Sequence, residues 1–291
     1  MTTAAATLAG EAQHYAGPAR ARWLRAALLS PSGLAAAIVV TALVAVALLA
    51  PVLAPFDPVF QQSGAVLLRS SGTHVLGTDE VGRDIASRLL FGMREDIYIV
   101  IIAVPIGQMI GVLAGLLSTL HKSTDVLTQR VLDVLVAVPN VILGAALAAF
   151  LGPGFRTVLI VIVVGTVPLT ARLTRTAVLS QRERDYVRGA QVIGVGRVGV
   201  LFRHILPNAM DSLVVNFMLS AAEAVFVEGG LSLLGFGVQP PAPSLGSMIQ
   251  AGLPFLSQQA WYCLAPVLAL TALVIGLNVF ANALNRAIRV G

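Results

Sequence analysis

Long apolar runs separated by short polar stretches occupy almost the whole chain from residue 33 onward. A helix needs about 20 mainly apolar residues to cross the hydrocarbon core of a bilayer. Five runs reach that length, and a sixth, shorter run has Pro139 inside it. The predicted spans are 33–54, 97–118, 134–151, 157–177, 212–236 and 261–284. The pattern therefore predicts an all-α polytopic membrane protein with six transmembrane helices.

The composition indicates a membrane protein independently of these runs. Of the 291 residues, 57% are hydrophobic and 11% are charged, whereas a soluble domain carries about 25% charged residues. The net charge of +5 could indicate nucleic-acid binding, but basic flanks of membrane spans explain it better. We therefore expect contact with membrane lipid and no nucleic-acid partner.

The positions of the basic residues predict the orientation of the chain. If residues 1–32 are cytoplasmic, 14 Lys and Arg residues fall inside and 5 fall outside, which together make the 19 of the chain. Basic loops favour the cytoplasmic side, so both termini are predicted to be cytoplasmic. The run 33–54 exceeds the apolar core of about 7–15 residues in a signal peptide, so residues 1–32 are expected to form a cytoplasmic tail. Residues 55–96 then form the longest external segment, and residues 180–208 lie inside.

Two short helices are predicted in the cytoplasmic segment before the fifth span. Residues 182–192 suit the first helix, and apolar residues at helical spacing from 198 to 205 suit the second. Gly194 separates them, because glycine permits a left-handed turn that other residues resist. Pro207 is expected to end the second helix. The result would be a rigid projection suited to a partner's groove.

This segment resembles the cytoplasmic coupling loop of ABC importer permeases. The family motif reads Glu-Ala-Ala, three residues, Gly, nine residues, then Ile-x-Leu-Pro; here the glycine is Gly194 and the ending is Leu206-Pro207. His204 stands at the apolar position of that ending. An Arg-His-x-Leu-Pro-Asn ending is familiar from the peptide-transporter branch of the family, which the chain therefore resembles most.

The chain departs from the motif at its start. Arg188 and Gly189 replace the glutamate and the first alanine, whereas Ala190 matches the second alanine. The resemblance implies that this segment contacts the ATPase subunits. The implied contact residues are Tyr186, Arg188, Gly189, Ala190, Gly194, Arg203, His204, Leu206 and Pro207.

The external segment 55–96 contains the sequence GTDEVGRD. Asp79 is expected to cap a helix start, and apolar side chains on one side of residues 85–93 predict an amphipathic helix on the outer membrane face. The sequence also resembles the GTDxxGRD signature of peptide and nickel permeases. That resemblance implies contact with a substrate-binding receptor through Asp79, Glu80, Arg83 and Asp84.

Two acidic residues, Glu223 and Glu228, lie inside the fifth apolar run. Acids in lipid are costly and usually face a cavity or a partner. Five helical residues turn about 140° net, so the two acids are predicted on different faces. Each could line the transport pathway or be hydrogen-bonded at a helix contact. Glu228 lies in VEGGLSLLGFG, which resembles a segment of the same family.

Proline and glycine positions also carry predictions about the spans. Pro168 lies inside the fourth span, where it could act as a hinge lining the pathway or as a fixed kink. Gly107, Gly111 and Gly115 form a stripe of small residues that permits close approach of another helix. Residues 237–260 contain VQPPAPSLG, resembling a VQPPxPSWG run of the family, and are expected to include a re-entrant or interfacial element.

Other recognisable chemistry is absent from the sequence. Position 121 is a histidine where a P-loop before Lys122 needs glycine, so any ATP and Mg²⁺ must be bound by another subunit. Gly194, Gly196 and Gly199 spell a dinucleotide-binding pattern but lack the preceding strand. The four histidines are scattered and Cys263 is the only cysteine, so no metal site and no catalytic residue are expected.

The resemblance covers residues 30 to 289 and implies a permease domain at 33–289 with the type I ABC importer fold. It also implies a heterodimer with a sister permease subunit, two ATP-binding subunits and an extracytoplasmic substrate-binding protein. The implied cargo is dipeptides or oligopeptides, and the chain itself is expected to catalyse no reaction. Two alternatives stay open at this point: the same fold importing nickel or glutathione, and a proton-coupled secondary transporter using Glu223 or Glu228.

Overall fold

The computed structural model describes residues 25–192 and 194–290, and each extended regular element in that part of the chain is a helix. Most of the tail 1–32, including its basic residues before position 25, lies outside the described residues. The helices are α1 (Pro31–Leu48), α2 (Ala50–Leu53), α3 (Ile85–Ser118), α4 (Lys122–Ala137), α5 (Asn140–Leu151), α6 (Phe155–Arg182), α7 (Asp185–Val192), α8 (Arg197–Gly199), a π-helical segment (Val200–Ile205), α9 (Leu206–Leu233), α10 (Leu245–Gly252), a 3₁₀ turn (Leu253–Phe255) and α11 (Trp261–Val290).

The six-span prediction is confirmed when one bent pair counts as a single span. Within the described residues, α1, α3, α6, α9 with its π segment, and α11 are each long and apolar enough to cross a membrane. Helices α4 and α5 pass the same test only as a pair, and they are bent by 84° relative to each other. The bundle has two ends. Residues 54–84 and 234–260 lie at one, called here the 54–84 end; residues 119–121 and 183–199 lie at the other, called the 183–199 end.

Helix α3 is longer than the predicted second span. It begins at Ile85 and runs without interruption to Ser118. The prediction of a separate amphipathic helix on the outer membrane face is therefore wrong. The physical reason is that its polar side is not turned to water: Ser87 and Arg88 are buried against other parts of the chain. A surface helix would leave such groups solvated.

The cap of α3 also differs from the prediction. Asp84, rather than Asp79, is the residue before the helix, and its Oδ2 accepts a hydrogen bond from the Ser87 backbone N–H at 2.7 Å. A side-chain acceptor at this position satisfies one of the free N–H groups of the first turn. Asp79 instead accepts from the backbone N–H of Arg83 at 2.8 Å, which holds the turn before the helix.

The predicted third span is broken at Pro139. Residues 119–133, which separate the predicted second and third spans, are helical from Lys122 onward, and α4 ends at Ala137. Val138 is extended, with φ −97° and ψ 116°, because a residue before proline is disfavoured in the helical region. Helix α5 then starts at Asn140 in a new direction, which places a bend of 84° inside the apolar stretch.

The helix predicted to end at Pro207 continues through it. The π segment passes directly into α9, so Val200–Leu233 is one helix of 34 residues. Leu206 N–H donates to the carbonyl of Leu201, five residues earlier, so the hydrogen-bond register changes just before the proline. A proline in the first turn of an α-helix is tolerated because its fixed φ suits that turn.

The glycine stripe packs α3 against α6 within this chain, as close helix approach predicts. A Cβ added at Gly107, Gly111 or Gly115 would lie 2.6–2.8 Å from the Cβ of a threonine on α6. Those threonines are Thr166, Thr170 and Thr174. Real Cβ atoms do not approach so closely, so the helix contact requires glycine on α3.

Candidate functional site

The turn at Gly194 joins the two short helices at the 183–199 end. Gly194 has φ +86°, and a Cβ built there would meet no atom within 4 Å. Glycine is therefore required for the left-handed backbone and not for space. The predicted turn between two short helices is present, although the second helix is the π segment continuous with α9.

Apolar contacts anchor this helix–turn–helix on the bundle. Val187 from α7 and Val200 and Leu201 from the second part are buried with Leu116 of α3 and Val178 of α6. These five side chains form one cluster, so the turn is seated on the ends of two spanning helices. A displacement of the turn therefore acts on both spans.

The outer side of the same segment is exposed and basic. Tyr186 is 40% exposed, and its hydroxyl donates to Gln181 Oε1 at 2.9 Å. The other predicted contact residues fall into three groups: Arg188, Gly189, Gly194, Arg203 and Pro207 are exposed, His204 and Leu206 are half-buried, and Ala190 lies in α7 with a side chain outside the description. The segment thus presents charged groups to solvent above an apolar seat.

Ion pairs that were not predicted from the sequence connect α4 to α6 near this end. Arg175 donates to both carboxylate oxygens of Asp125, each at 2.6 Å, and Arg172 pairs with Asp133 at 2.8 Å. Arg182 donates to the Thr119 carbonyl at 2.5 Å. Bidentate pairs fix orientation as well as distance. The partners are about 40 to 60 residues apart in sequence, so no local pattern reveals them.

A buried charge network, the 74–88 network, lies at the 54–84 end. Asp79 Oδ2 accepts from Arg83 Nε at 2.6 Å and lies 3.4 Å from Arg88 Nε. Asp84 pairs with His74 at 2.9 Å. Buried charges need such partners because an unpaired charge out of water is expensive. The GTDEVGRD stretch thus folds back on itself.

This network changes the interpretation of the predicted receptor-contact residues. Asp79, Arg83 and Asp84 have exposed fractions of 0%, 8% and 3%; Asp79 and Arg83 pair with each other, and Asp84 is hydrogen-bonded to His74 and Ser87. Glu80 is half-buried and lies 3.4 Å from Arg83. Their geometry therefore supports a structural role that shapes the outer surface, with Glu80 the most accessible of the four.

Glu228 belongs to a buried carboxyl pair with Asp96, which the sequence placed in the external segment. Both residues have an exposed fraction of 0%, and the two carboxyls lie close to each other. Asp96 Oδ2 accepts from Leu245 N–H at 3.1 Å, and Glu228 Oε1 accepts from Ser232 Oγ at 2.6 Å. Among the described residues, the second oxygen of each has no hydrogen-bond partner. The pair therefore joins α3, α9 and the start of α10.

Glu223 lies in different surroundings, at the break between α4 and α5. Its side chain is exposed into a cavity of about 250 Å³. The lining residues are Leu135, Val136, Val138, Pro139, Asn140, Gly165, Pro168, Leu169 and Glu223. Two of the residues predicted for a pathway, Glu223 and Pro168, are brought together here, and Glu228 is not among them.

Comparison with known proteins identifies the same kind of molecule. Residues 107–290 match the family model described as "Binding-protein-dependent transport system inner membrane component". A Haemophilus influenzae protein named "Dipeptide transport system permease protein DppC" is 32% identical over 250 residues, covering 84% of this chain and 85% of that protein. "Glutathione transport system permease protein GsiD" of Pectobacterium atrosepticum is 33% identical over 256 residues, covering 87% of this chain and 85% of that protein.

A solved structure shares the fold. It is a chain of the MetNI methionine ABC transporter in an inward-facing conformation, with a TM-score of 0.58 and 18% sequence identity. The match covers 70% of this chain and 95% of that chain. The helical bundle thus has the architecture of a type I ABC importer permease.

Proposed function

The chain belongs to the family of binding-protein-dependent transport system inner membrane components, and on that premise we propose that it is the permease subunit of an ABC importer for dipeptides or short oligopeptides. One observation carries the proposal: relatives that span more than four-fifths of the chain include a dipeptide permease. The bundle that these residues form, with its seated turn at Gly194, supports a transport role rather than a catalytic one.

The proposed assembly contains this chain, a sister permease, two ATP-binding subunits and an extracytoplasmic substrate-binding protein. ATP and Mg²⁺ would be bound by the ATP-binding subunits, since the sequence of this chain lacks a P-loop. The family description names a binding protein, which supports the receptor. The basic residues favour a membrane protein with both termini and the 183–199 end in the cytoplasm.

The coupling mechanism follows from how the turn at Gly194 is seated. The ATP-binding subunits would grip the exposed basic side of α7 and the π segment, and ATP-driven closure would move it. Leu116 and Val178 carry that movement to α3 and α6 through the shared apolar cluster. The π segment carries it into α9 without a linker. The spans would then reorient and open the pathway to the other side.

One alternative cargo, glutathione, also has direct support. A relative named for glutathione transport is as similar to this chain as the relative named for dipeptides. Glutathione is itself a small peptide, so both cargoes present a free amino group and carboxylates. The substrate-binding protein, as the subunit that delivers cargo, would decide between them.

The proposal is tested with the complete transporter in proteoliposomes, receptor and labelled dipeptide outside and ATP inside. We expect uptake that requires ATP and receptor and that survives an uncoupler. Uptake that instead follows the proton gradient without ATP would establish the secondary-transporter alternative. Glutathione uptake that excess dipeptide does not inhibit would replace the proposed cargo.

A matched pair of glycine variants tests the coupling role in the same assay. Gly194→Val forces a β-branched residue into φ +86°, which such residues strongly resist. Gly196→Val stands two residues away, also with no atom within 4 Å of a built Cβ, but without the left-handed φ. We expect assembled transporter with strongly reduced ATP-driven uptake for Gly194→Val and near-normal uptake for Gly196→Val. Equal uptake by both variants would contradict the coupling role.

A further inference from the structure

We propose that the carboxylate of Glu223 receives a cationic side chain of the cargo as it passes the middle of the membrane. This inference rests on the proposed function, because it assigns a chemistry to the pathway of that transporter. The observations that carry it are the depth of Glu223, the shape of the cavity around it, and the absence of a cation from the cavity lining.

The depth of Glu223 follows from its position along α9. Glu223 is ten residues from Leu233, the last residue of that helix. Gly165, which also lines the cavity, is ten residues from Phe155, where α6 begins at the same end of the bundle. Ten helical residues rise about 15 Å, which is about half of the roughly 30 Å hydrocarbon core. With these ends of α6 and α9 placed at the edge of the hydrocarbon core, the cavity lies close to the bilayer midplane.

The carboxylate of Glu223 is available for a ligand. None of the residues that line the cavity is a lysine or an arginine, and among the described residues Glu223 takes part in no hydrogen bond or ion pair. Asp96 and Glu228 are different, since each accepts a hydrogen bond and faces the other. An unpaired acid at this depth points to a positively charged group that arrives from outside the chain.

The bend at Pro139 creates the space that the acid faces. Helix α5 leaves α4 at 84°, and Asn140 at its start packs against Gly165, where a Cβ would lie 3.0 Å from the asparagine Oδ1. The absence of a side chain on Gly165 therefore leaves room for Asn140 beside the cavity. The amide of Asn140 is the second polar side chain of this lining, which is otherwise apolar.

The volume indicates how much of a cargo fits. About 250 Å³ is below the roughly 300–1,000 Å³ of pockets that enclose a whole small ligand. The cavity therefore suits one side chain of a peptide, while the remainder lies in the open pathway. A binding site along a transport pathway must hold its cargo weakly enough to release it. A single, partly hydrated carboxylate binds a cation weakly enough for that.

The test compares dipeptides that differ in charge. Wild-type transporter in proteoliposomes takes up lysyl-alanine and glutamyl-alanine, each at saturating receptor, and the ratio of the two maximal rates is measured. We expect Glu223→Gln to lower the lysyl-to-glutamyl ratio by about fivefold, the factor that one partly solvated ion pair supplies at most. The receptor is a separate protein, so its own preference is unchanged by the variant.

Moving the charge within the cavity provides the decisive control. Asn140→Asp in the Glu223→Gln background places a carboxylate at the other polar position of the cavity lining, and we expect it to restore most of the ratio. Asp211→Asn removes an acid twelve residues earlier on the same helix, about 18 Å away, and should leave the ratio unchanged. Gel filtration of each variant complex checks assembly.

The outcomes separate this inference from the proposed function. A lowered ratio that Asn140→Asp restores supports the cargo contact. Equal slowing of both dipeptides without rescue would give Glu223 a role that does not depend on cargo charge and would overturn this inference, as would an unchanged ratio. If wild-type transporter carries neither dipeptide, the proposed function itself fails, before any variant is compared.

Discussion

Replacing Gly111 by alanine is expected to force α3 and α6 apart at one of the close helix contacts of the bundle. The new Cβ would lie 2.6 Å from Thr170 Cβ, and 2.9 Å from both Thr170 Cγ2 and the Val167 carbonyl oxygen. A Cβ and a helix carbonyl cannot rotate away, so α3 and α6 must separate by several tenths of an ångström. Thr170 Oγ1 also donates to Gln108 Oε1 at 3.1 Å and accepts from Asn216 Nδ2 at 2.9 Å, and the separation strains that network.

The expected loss follows from two opposing effects. Overpacking of a well-packed interior costs about 1–3 kcal/mol, whereas alanine is favoured over glycine in a helix by about 0.5–1 kcal/mol. With the middle of each range, the net loss is about 1 kcal/mol. For a domain of 150–250 residues, 1 kcal/mol lowers Tm by about 2–4 °C, so we expect a shift of about that size.

The measurement is thermal unfolding of the assembled transporter in detergent. The matched control is Gly230→Ala on α9, where a built Cβ meets no atom within 4 Å; it should be neutral or slightly stabilising because only the helix preference acts. A Gly111→Ala transporter that unfolds at the same temperature as Gly230→Ala, or above it, would refute the argument from close approach.

Two further predictions concern the carboxyl pair and the orientation. Asp96→Asn should keep most of the thermal stability of the complex, since its amide oxygen can still accept from Leu245 N–H, whereas Asp96→Leu should lose several degrees because it leaves that N–H and one Glu228 oxygen buried without a polar neighbour; equal losses would argue against a polar contact at this place. In a Cys263→Ala background, an impermeant thiol reagent applied to intact cells should label Ser63→Cys and not Ser123→Cys, and the reverse pattern would invert the proposed topology.

The parts of the fold that depend on the length of the apolar runs were predictable from the sequence. The predicted spans that correspond to α1, α6 and α11 are long, mainly apolar runs. In a bilayer the backbone groups of such a run must form their hydrogen bonds within the protein, which favours a helix. The glycine stripe at 107–115 was predictable because a spacing of four places three small residues on one helical face. Gly194 was predictable because few residues other than glycine tolerate φ +86°.

Polar helix surfaces were mispredicted because the sequence does not show what covers them. Residues 85–96 carry charges that suggest a surface, yet Arg88 is buried beside Asp79. Asp96 was assigned to the external segment because it directly precedes an apolar run, and its partner Glu228 lies 132 positions further along, as 228 minus 96 gives. Such contacts arise only when helices pack, and no local periodicity encodes them.

Val200 to Leu233 form one uninterrupted helix. Codons can therefore not be added to or removed from this part of the gene without moving the residues beyond them. Deleting one codon between positions 207 and 222 would rotate everything beyond it by about 100° and shift it by about 1.5 Å. Glu223 would then turn out of its cavity, and Glu228 would turn away from Asp96. Gly72 lies outside the helices, so a length change there would rotate no span, although it would alter the hydrogen bond from Ser71 N–H to the His74 carbonyl. Length variation among functional versions of this chain should therefore be absent from the fifth span.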